Sequence, residues 1–335
     1  MSRRSSLPPT DESVRPRGIL IDYIKIARPD HWIKHILIVP GIVLAWILIG
    51  VENLADTSLR IGLGLVAACL IASANYVINE WLDLDYDKHH PLKSQRPAVM
   101  KSMSAALIYA EYTALVSTAL LIGFFVGQIF LTVLIAFVLS GLLYNVSPLR
   151  TKERAYVDVL TESINNPIRL ALGWTMISAS VPIPVSIVIA YWMGGAFLMT
   201  VKRLAEFRHA VETGTSARLV LYRRTFRVYS EQSLVSLSVF YAAMSAFFLG
   251  VFLIKYRIEY LLLFPIISVM FAQYTHMSMK SYSLVQTPEF LYKDIRLVFL
   301  GITLFSAFMI LSFVDLQFMR IFLFDIEEWR ISMVF

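Results

Sequence analysis

The sequence is poor in cysteine and in charge. It has a single cysteine, Cys69, set in an apolar run, which excludes an internal disulfide and a cysteine-built metal cluster. Cys69 reads as a small packed hydrophobe. Charged residues are 16% of the 335, and hydrophobic residues are 57%. A soluble domain usually holds about 45–50% apolar residues. No soluble module is present to carry a basic face, so the net charge of +6 does not point to nucleic acid. In a membrane protein it points to cytoplasmic loops and anionic headgroups.

What the sequence does have is apolar runs. Those at 33–50, 59–81, 104–125, 129–146, 156–178, 185–202, 231–254, 259–278 and 296–316 each approach the ~20 residues that cross a bilayer. The expected fold is an all-α polytopic membrane bundle of about nine helices around a central cavity open to the cytoplasm. Residues 1–18 are expected as a disordered cytoplasmic tail rather than a secretory signal. Residues 317–335 are expected as an interfacial tail. Basic residues gather on one set of loops, including Lys88, Lys93, Arg96, Arg150, Lys152, Arg154, Lys202, Arg203 and Arg223. The other set keeps only Arg60, Lys255, Arg257, Arg320 and Arg330. Positive charge marks the cytoplasmic side, so the expectation is a cytoplasmic N-terminus in an inner membrane.

The stretch from Ala72 to Pro97 carries the chemistry. It leaves an apolar run and sets Asn75, Asn79, Asp83 and Asp87 four residues apart. Residues four apart share a helix face, so they form one polar stripe, with Glu80 and Asp85 between. Facing carboxylates repel unless a cation stands between them. Mg²⁺ suits such a place, because it accepts one or two carboxylates and completes its shell with substrate phosphates. Lys88, His89, His90, Lys93 and Arg96 follow. Acids for a metal beside bases for phosphate describe a metal–diphosphate site. The same residues also fit a solvated helix end whose acids and bases pair.

The pattern Asn79-x3-Asp83-x3-Asp87 resembles the first motif of the UbiA superfamily of intramembrane prenyltransferases, with Glu80 where that family usually has aspartate. The string Ala72-Ser73-Ala74-x-Tyr76-x-x-Asn79, then His90-Pro91-x-Lys93-x-x-Arg96-Pro97, resembles its decaprenyl-phosphate phosphoribosyltransferase branch. That resemblance implies a transferase that moves phosphoribose from phosphoribosyl diphosphate to a polyprenyl phosphate and releases diphosphate. It implies Mg²⁺ on Asn79, Asp83 and Asp87, with Glu80 beside them. It further implies Lys93 and Arg96 on the leaving diphosphate.

Two other stretches bear on the resemblance. Arg28-Pro29-Asp30-His31-Trp32-Ile33-Lys34 is similar to that branch's first-helix motif, and makes Arg28 and Lys34 either interfacial anchors or substrate contacts. Met199–Arg208 stands where most relatives carry a second Asp-x3-Asp. Here Lys202 and Glu206 lie one turn apart instead, and Lys202-Arg203-x-Ala205-Glu206 matches the phosphoribosyltransferase branch. A cation there suits a bare lipid phosphate better than a second metal. Lys202, Arg203 and Arg169 are therefore expected on the acceptor phosphate. The alternative is that Lys202 and Arg203 only mark the end of a span.

Tyr144 opens a cation-rich loop, and with Asn75 and Glu206 it is expected to contact substrate. Beyond it Asp158, Glu162, Asn165, Asn166 and Arg169 occupy one face of an apolar run, as a cavity wall or as a structural network. Asn165-Asn166-Pro167 departs from the branch. The loop 209–230, with Gly214, Tyr222, Tyr229 and several arginines, fits either a cap over the site or a membrane-surface patch. No Ser/His/Asp set is needed, since the acceptor phosphate is already anionic. The expected partners are a polyprenyl lipid, a soluble phosphorylated donor and membrane lipids, with oligomeric state open. Two rival functions remain at this stage. One is transfer of a prenyl group from its diphosphate to an aromatic or other small acceptor. The other is a transporter without chemistry, against which the charges gather at one interface rather than the midplane.

Overall fold

The computed structural model describes residues 15–90, 93–280, 283–286 and 288–319. Most of the expected tails, 1–14 and 320–335, lies outside them. The described chain is helical, with no strand among the described residues. Its helices are α1 (Leu20–Ile26), α2 (Val39–Ile49), α3 (Leu54–Leu82), α4 (Leu84–Asp87), α5 (Pro97–Met100), α6 (Ala105–Val126) and α7 (Gln128–Asn145). They continue as α8 (Val157–Ser163), α9 (Asn165–Ile177), α10 (Val185–Glu212), α11 (Ser216–Tyr222), α12 (Glu231–Tyr256), α13 (Phe264–Ser278) and α14 (Ile295–Phe313). A run of 3-10 turns, Pro29–Ile38, joins α1 to α2.

Among the described residues, eight helical stretches are long and apolar enough to cross a membrane. Their outward faces are apolar: Phe124 and Phe125 on α6, Phe240 and Phe247 on α12, Phe299 and Phe305 on α14 are all exposed. Such a surface is stable against lipid rather than water.

The expected span at 156–178 is not one helix. It breaks at Ile164 into α8 and α9. Pro167 has no N–H to return to the Ser163 carbonyl, and Asn165 Nδ2 instead donates to the Glu162 carbonyl at 3.1 Å. The pair still runs the length of the bundle. Asp158 on α8 meets Arg203 of α10, while at the other end Arg60, near the start of α3, donates to the Thr175 carbonyl at 3.2 Å.

Two groups of helices pack around this broken element. Ala68, Ile71, Ala119, Leu134, Phe137 and Leu172 form one core from α3, α6, α7 and α9. A second core joins α8, α10, α12 and α13 through Val159, Phe197, Leu204, Leu234 and Tyr274. A third core, with Ala45 of α2, Trp174 of α9, Ala190 of α10 and Phe252 of α12, joins the two groups, and within it α2 crosses α9 closely. A Cβ on Gly41 would stand 2.0 Å from the Leu170 carbonyl oxygen, and one on Gly173 would stand 2.2 Å from that of Ile38. Only glycine lets these backbones approach so closely. At the turn between α6 and α7, Gly127 has φ of 151°, a left-handed conformation that favours glycine.

Candidate active site

The polar stripe of the first motif keeps its helical spacing as α3 gives way to α4. Asp83 N–H donates to the Asn79 carbonyl at 3.0 Å, and Asp87 N–H to the Asp83 carbonyl at 2.8 Å. The side chains then divide among different neighbours. Asn75 Nδ2 donates to the Phe137 carbonyl at 3.2 Å. Asn79 Nδ2 donates to Asn145 Oδ1 at 2.5 Å. Asp83 Oδ1 accepts from Lys152 Nζ at 2.5 Å and Arg150 Nη2 at 2.8 Å. Asp87 Oδ2 accepts from Arg96 Nη1 at 2.6 Å, with Lys93 Nζ 3.6 Å from its other oxygen. Asp85 is exposed and pairs with Lys88 at 2.7 Å.

Burial acts on this cluster first. It would raise the Asp83 carboxyl, but Lys152, Lys93 and Arg150 outweigh it and hold the group below its ordinary value. Burial pulls Lys93 and Lys152 down to about 8, against the support of Asp87 and Asp83 respectively.

Arg150, Lys152 and Asn145 are functional candidates that the sequence did not single out. Arg150 sits in the left-handed region, with φ of 30°. Such a backbone costs about 1–3 kcal/mol in a non-glycine residue and persists where surroundings over-determine it. The guanidinium supplies that determination: it reaches the Asn145 and Leu82 carbonyls, Asp83 and Glu153. Lys152 also donates to Asn145 Oδ1 at 2.8 Å.

The expected metal set is only partly assembled. Glu80 is a correction. It is buried and accepts from Ala98 N–H at 3.3 Å at the start of α5, with Arg96 Nε, from the guanidinium that bonds Asp87, 3.8 Å away. It satisfies a helix N-terminus, which leaves it poorly placed as a ligand. Among the described residues, no three His, Cys, Asp or Glu side chains gather to hold a metal. What remains is Asp83, Asp87 and Asn79, with no described group bonded to Asp83 Oδ2. Two carboxylates, an amide and nearby cations fit Mg²⁺ that is completed by substrate phosphates rather than by a protein cage.

The α10 side is built the opposite way. Arg203 is fully buried and surrounded by acids: Nη2 meets Glu162 Oε2 at 2.7 Å, Nη1 meets Glu206 Oε2 at 3.4 Å, and Nε lies 3.5 Å from Asp158 Oδ2. Tyr144 donates to the same Glu162 oxygen at 2.8 Å. Tyr229 donates to Asp158 Oδ1. Arg203, Glu206 and Tyr144, expected on substrate, are thus engaged with one another, and Arg203 has no open face for a phosphate. Lys202, one residue earlier and turned to another side of the helix, forms no ion pair or hydrogen bond among the described residues, although it feels Glu206 and Glu162.

Arg169 is half-buried. Its Nη1 reaches the Asn165 carbonyl at 3.5 Å, and its guanidinium lies 5.3 Å from the Phe137 ring centroid. No described carboxylate pairs with it. Asn165 Oδ1 accepts from Ser140 of α7 at 2.9 Å, and Asn166 lies where a Cβ on Gly195 of α10 would collide with it. The Asn165-Asn166-Pro167 departure therefore ties the broken helix to both neighbours. Arg28 and Lys34 approach a different point. Their charges lie 5.8 and 5.9 Å from the Tyr76 ring centroid, and Arg28 also faces Asp30 at 3.8 Å.

The segment after α10 lies across this end. His90 and Tyr222 meet with ring centroids 4.5 Å apart. Arg224 reaches Glu153 at 3.1 Å and stacks over Tyr86, whose other neighbour is Arg150. Two apolar grooves, of about 560 and 420 Å³, open on the flank along α13, and no residue of the charged cluster lines them.

Taken together, an apolar helical bundle with an acid–cation cluster at one end defines a polytopic helical membrane protein. Residues 37–301 match the UbiA prenyltransferase family, and the chain belongs to it. It is 28% identical over 204 residues to the decaprenyl-phosphate phosphoribosyltransferase of Mycolicibacterium smegmatis, across 61% of this chain and 62% of that one. It is 27% identical over 216 residues to the nodulation protein NoeC of Azorhizobium caulinodans, across 64% and 66% of the two chains. The matched region thus spans a little under two thirds of these relatives' lengths. The fold is similar to that of a UbiA homologue from Archaeoglobus fulgidus solved with GPP and Mg²⁺, with a TM-score of 0.63 and 19% identity over 87% of this chain and 99% of that one.

Proposed function

We propose that this protein is a membrane transferase that moves phosphoribose from 5-phosphoribosyl diphosphate to a polyprenyl phosphate. The bond from the ribose anomeric carbon to the diphosphate oxygen breaks, and the diphosphate leaves with the electron pair. A lipid phosphate oxygen forms the new bond to that carbon. One observation carries the reading. The carboxylates of Asp83 and Asp87 are already matched by Lys93, Arg96, Arg150 and Lys152, while the α10 side adds a further cation, Lys202, with no acid bonded to it.

Asp83, Asp87 and Asn79 would hold Mg²⁺, which when bound offsets the charge of the departing diphosphate. Lys93 and Arg96 shift from Asp87 toward the phosphates. Arg150 and Lys152 keep Asp83 ionised and oriented. Once the donor is bound and this shift is complete, the cations face the diphosphate before charge develops, so they stabilise it without further reorganisation. Lys202 and Arg169 hold the lipid phosphate, and Arg28 and Lys34 lie at its approach. No general base is required of the protein. The motif end faces the cytoplasm, where soluble sugar diphosphates are found. The relatives named as phosphoribosyltransferases support the donor assignment.

The test supplies purified protein and Mg²⁺ with labelled phosphoribosyl diphosphate plus polyprenyl phosphate, and in parallel with polyprenyl diphosphate plus an aromatic acid. Label should enter the lipid only in the first. Product only in the second would replace this reading with prenyl transfer, and product in neither would favour a protein without chemistry.

A further inference from the structure

Arg223 is a largely buried arginine that lacks the carboxylate hydrogen bonds made by Arg96, Arg150 and Arg203 at this end of the bundle. It lies between α11 and the turn Arg224–Arg227, on the segment that crosses the site. Its side chain is 17% exposed, and its nearest acid is Asp158 Oδ2, 3.8 Å from Nη1. That contact is beyond hydrogen-bonding distance. Nη1 is buried without a hydrogen bond, and so is the Asp158 oxygen that it faces. The side chain as a whole makes no hydrogen bond among the described residues. A guanidinium has five donors, and withholding them from water without partners is costly. Arg203, whose Nε faces the same Asp158 oxygen at 3.5 Å, shows the contrast: its two terminal nitrogens both meet other carboxylates.

The position of Arg223 is informative as well. Its charge is felt by Lys93, Lys152 and His90 on one side and by Glu162, Glu206 and Tyr144 on the other. It therefore lies between the acid-centred cluster and the α10 network, yet it pairs with neither Asp83 nor Asp87. The proposed reaction brings three anionic groups together: the leaving diphosphate, the 5-phosphate at the far end of the ribose, and the lipid phosphate. The first is met at Asp83 and Asp87, and the last at Lys202 and Arg169. The 5-phosphate has no cation yet assigned, and Arg223 is a cation with unused donors.

We propose that Arg223 binds the 5-phosphate of the donor, carried to it by the segment that crosses the site. This rests on the phosphoribosyl reading above. A prenyl diphosphate has no corresponding phosphate, so the same residue would favour one donor class over the other. Two or more charge-assisted bonds from a planar fork to a phosphate suit arginine better than lysine.

The experiment compares wild type with Arg223→Gln and Arg223→Lys in the full-length purified protein. It measures KM for phosphoribosyl diphosphate, KM for polyprenyl phosphate, the unfolding temperature, and direct binding of ribose 5-phosphate. Arg223→Gln should raise the donor KM by about 10- to 100-fold, the scale of one or two charge-assisted hydrogen bonds. The lipid KM and the unfolding temperature should stay unchanged, Arg223→Lys should recover part of the loss, and ribose 5-phosphate binding should weaken in parallel. An unchanged donor KM, or equal rises in both KM values with a lowered unfolding temperature, would overturn the proposal and leave Arg223 as a partner of Asp158. The two layers separate cleanly. If wild type transfers nothing from phosphoribosyl diphosphate but still binds ribose 5-phosphate through Arg223, the reaction has been misread and the subsite stands.

Discussion

Two charged clusters share one end of this bundle, and they are built as inverses. Around Asp83 and Asp87, acids are ringed by cations: Arg150 and Lys152 on one, Arg96 and Lys93 on the other. Around Arg203, a cation is ringed by acids: Asp158, Glu162 and Glu206. The first cluster is partly open, with Lys93 29% exposed. The second is sealed at its centre, with both Arg203 and Asp158 at 0%, while Glu162 at its edge is 27% exposed. An acid with a spare oxygen and partly exposed cations nearby can exchange those cations for a metal and a phosphate. An arginine locked by three carboxylates has nothing to exchange. Under the proposed function, chemistry belongs to the first cluster and structure to the second.

That division predicts different failures. The largest effect belongs to the first cluster. Asp83→Asn or Asp87→Asn should lower turnover by at least about 100-fold, the scale of losing one preorganised electrostatic contact. The unfolding temperature should fall less than in Arg203→Met, because asparagine keeps the side chain's shape and one oxygen acceptor while Lys93, Arg96 and Arg150 keep some exposure to water. Arg203→Met should do the reverse. It leaves three carboxylates without their shared cation, and breaking such a buried arrangement costs about 3–5 kcal/mol. A thermal unfolding series in detergent should show the loss, and restored stability in Arg203→Met combined with Glu162→Gln would locate its cause. Retained stability in Arg203→Met would end the distinction between the clusters.

Lys202→Ala falls between these extremes. It removes a cation that has no described partner, so the fold should not notice. Use of the lipid phosphate should weaken by roughly 10–150-fold, the equivalent of about 1.5–3 kcal/mol for a charge-assisted hydrogen bond. Lys202→Asp should be worse, and a gain of aromatic prenylation in that variant would contradict the assignment. The smallest effect concerns pH. Lys93 and Lys152 have been lowered to about 8 by burial, so each is charged below that value and neutral above it. kcat/KM for the donor, which reports the free enzyme, should fall as pH rises through about 8. Lys152→Arg should flatten that limb, because a guanidinium stays protonated.

Much of the bundle was legible in the sequence. The runs at 104–125 and 129–146 became Ala105–Val126 and Gln128–Asn145, because an apolar run bounded by a glycine turn leaves few alternatives. The end of α10 was not legible. The apolar signal stops at Lys202, yet the helix continues to Glu212, since Lys, Arg and Glu end hydropathy without opposing a helix. The break at Ile164 was hidden too, because an apolar run reads through a proline near a new helix start.

The site divides in the same way. Asp87, Lys93 and Arg96 are near in sequence, and their grouping follows from spacing. Arg150 reaches Asp83 across 67 positions, through a left-handed backbone that no local pattern announces. Lys202 and Arg203 looked equivalent as neighbours. Successive helix residues point about 100° apart, so one is sealed inside while the other is not. Glu80 had the same ambiguity, and the start of α5 resolved it.

The most direct test of this account counts metal rather than product. Mn²⁺ bound in the presence of diphosphate can be followed by electron paramagnetic resonance in the full-length protein. Binding should be lost in Asp83→Asn and Asp87→Asn and be unchanged in Glu206→Gln. Metal that survives Asp83→Asn but disappears in Glu206→Gln would contradict it, placing the ion in the cluster assigned here to structure.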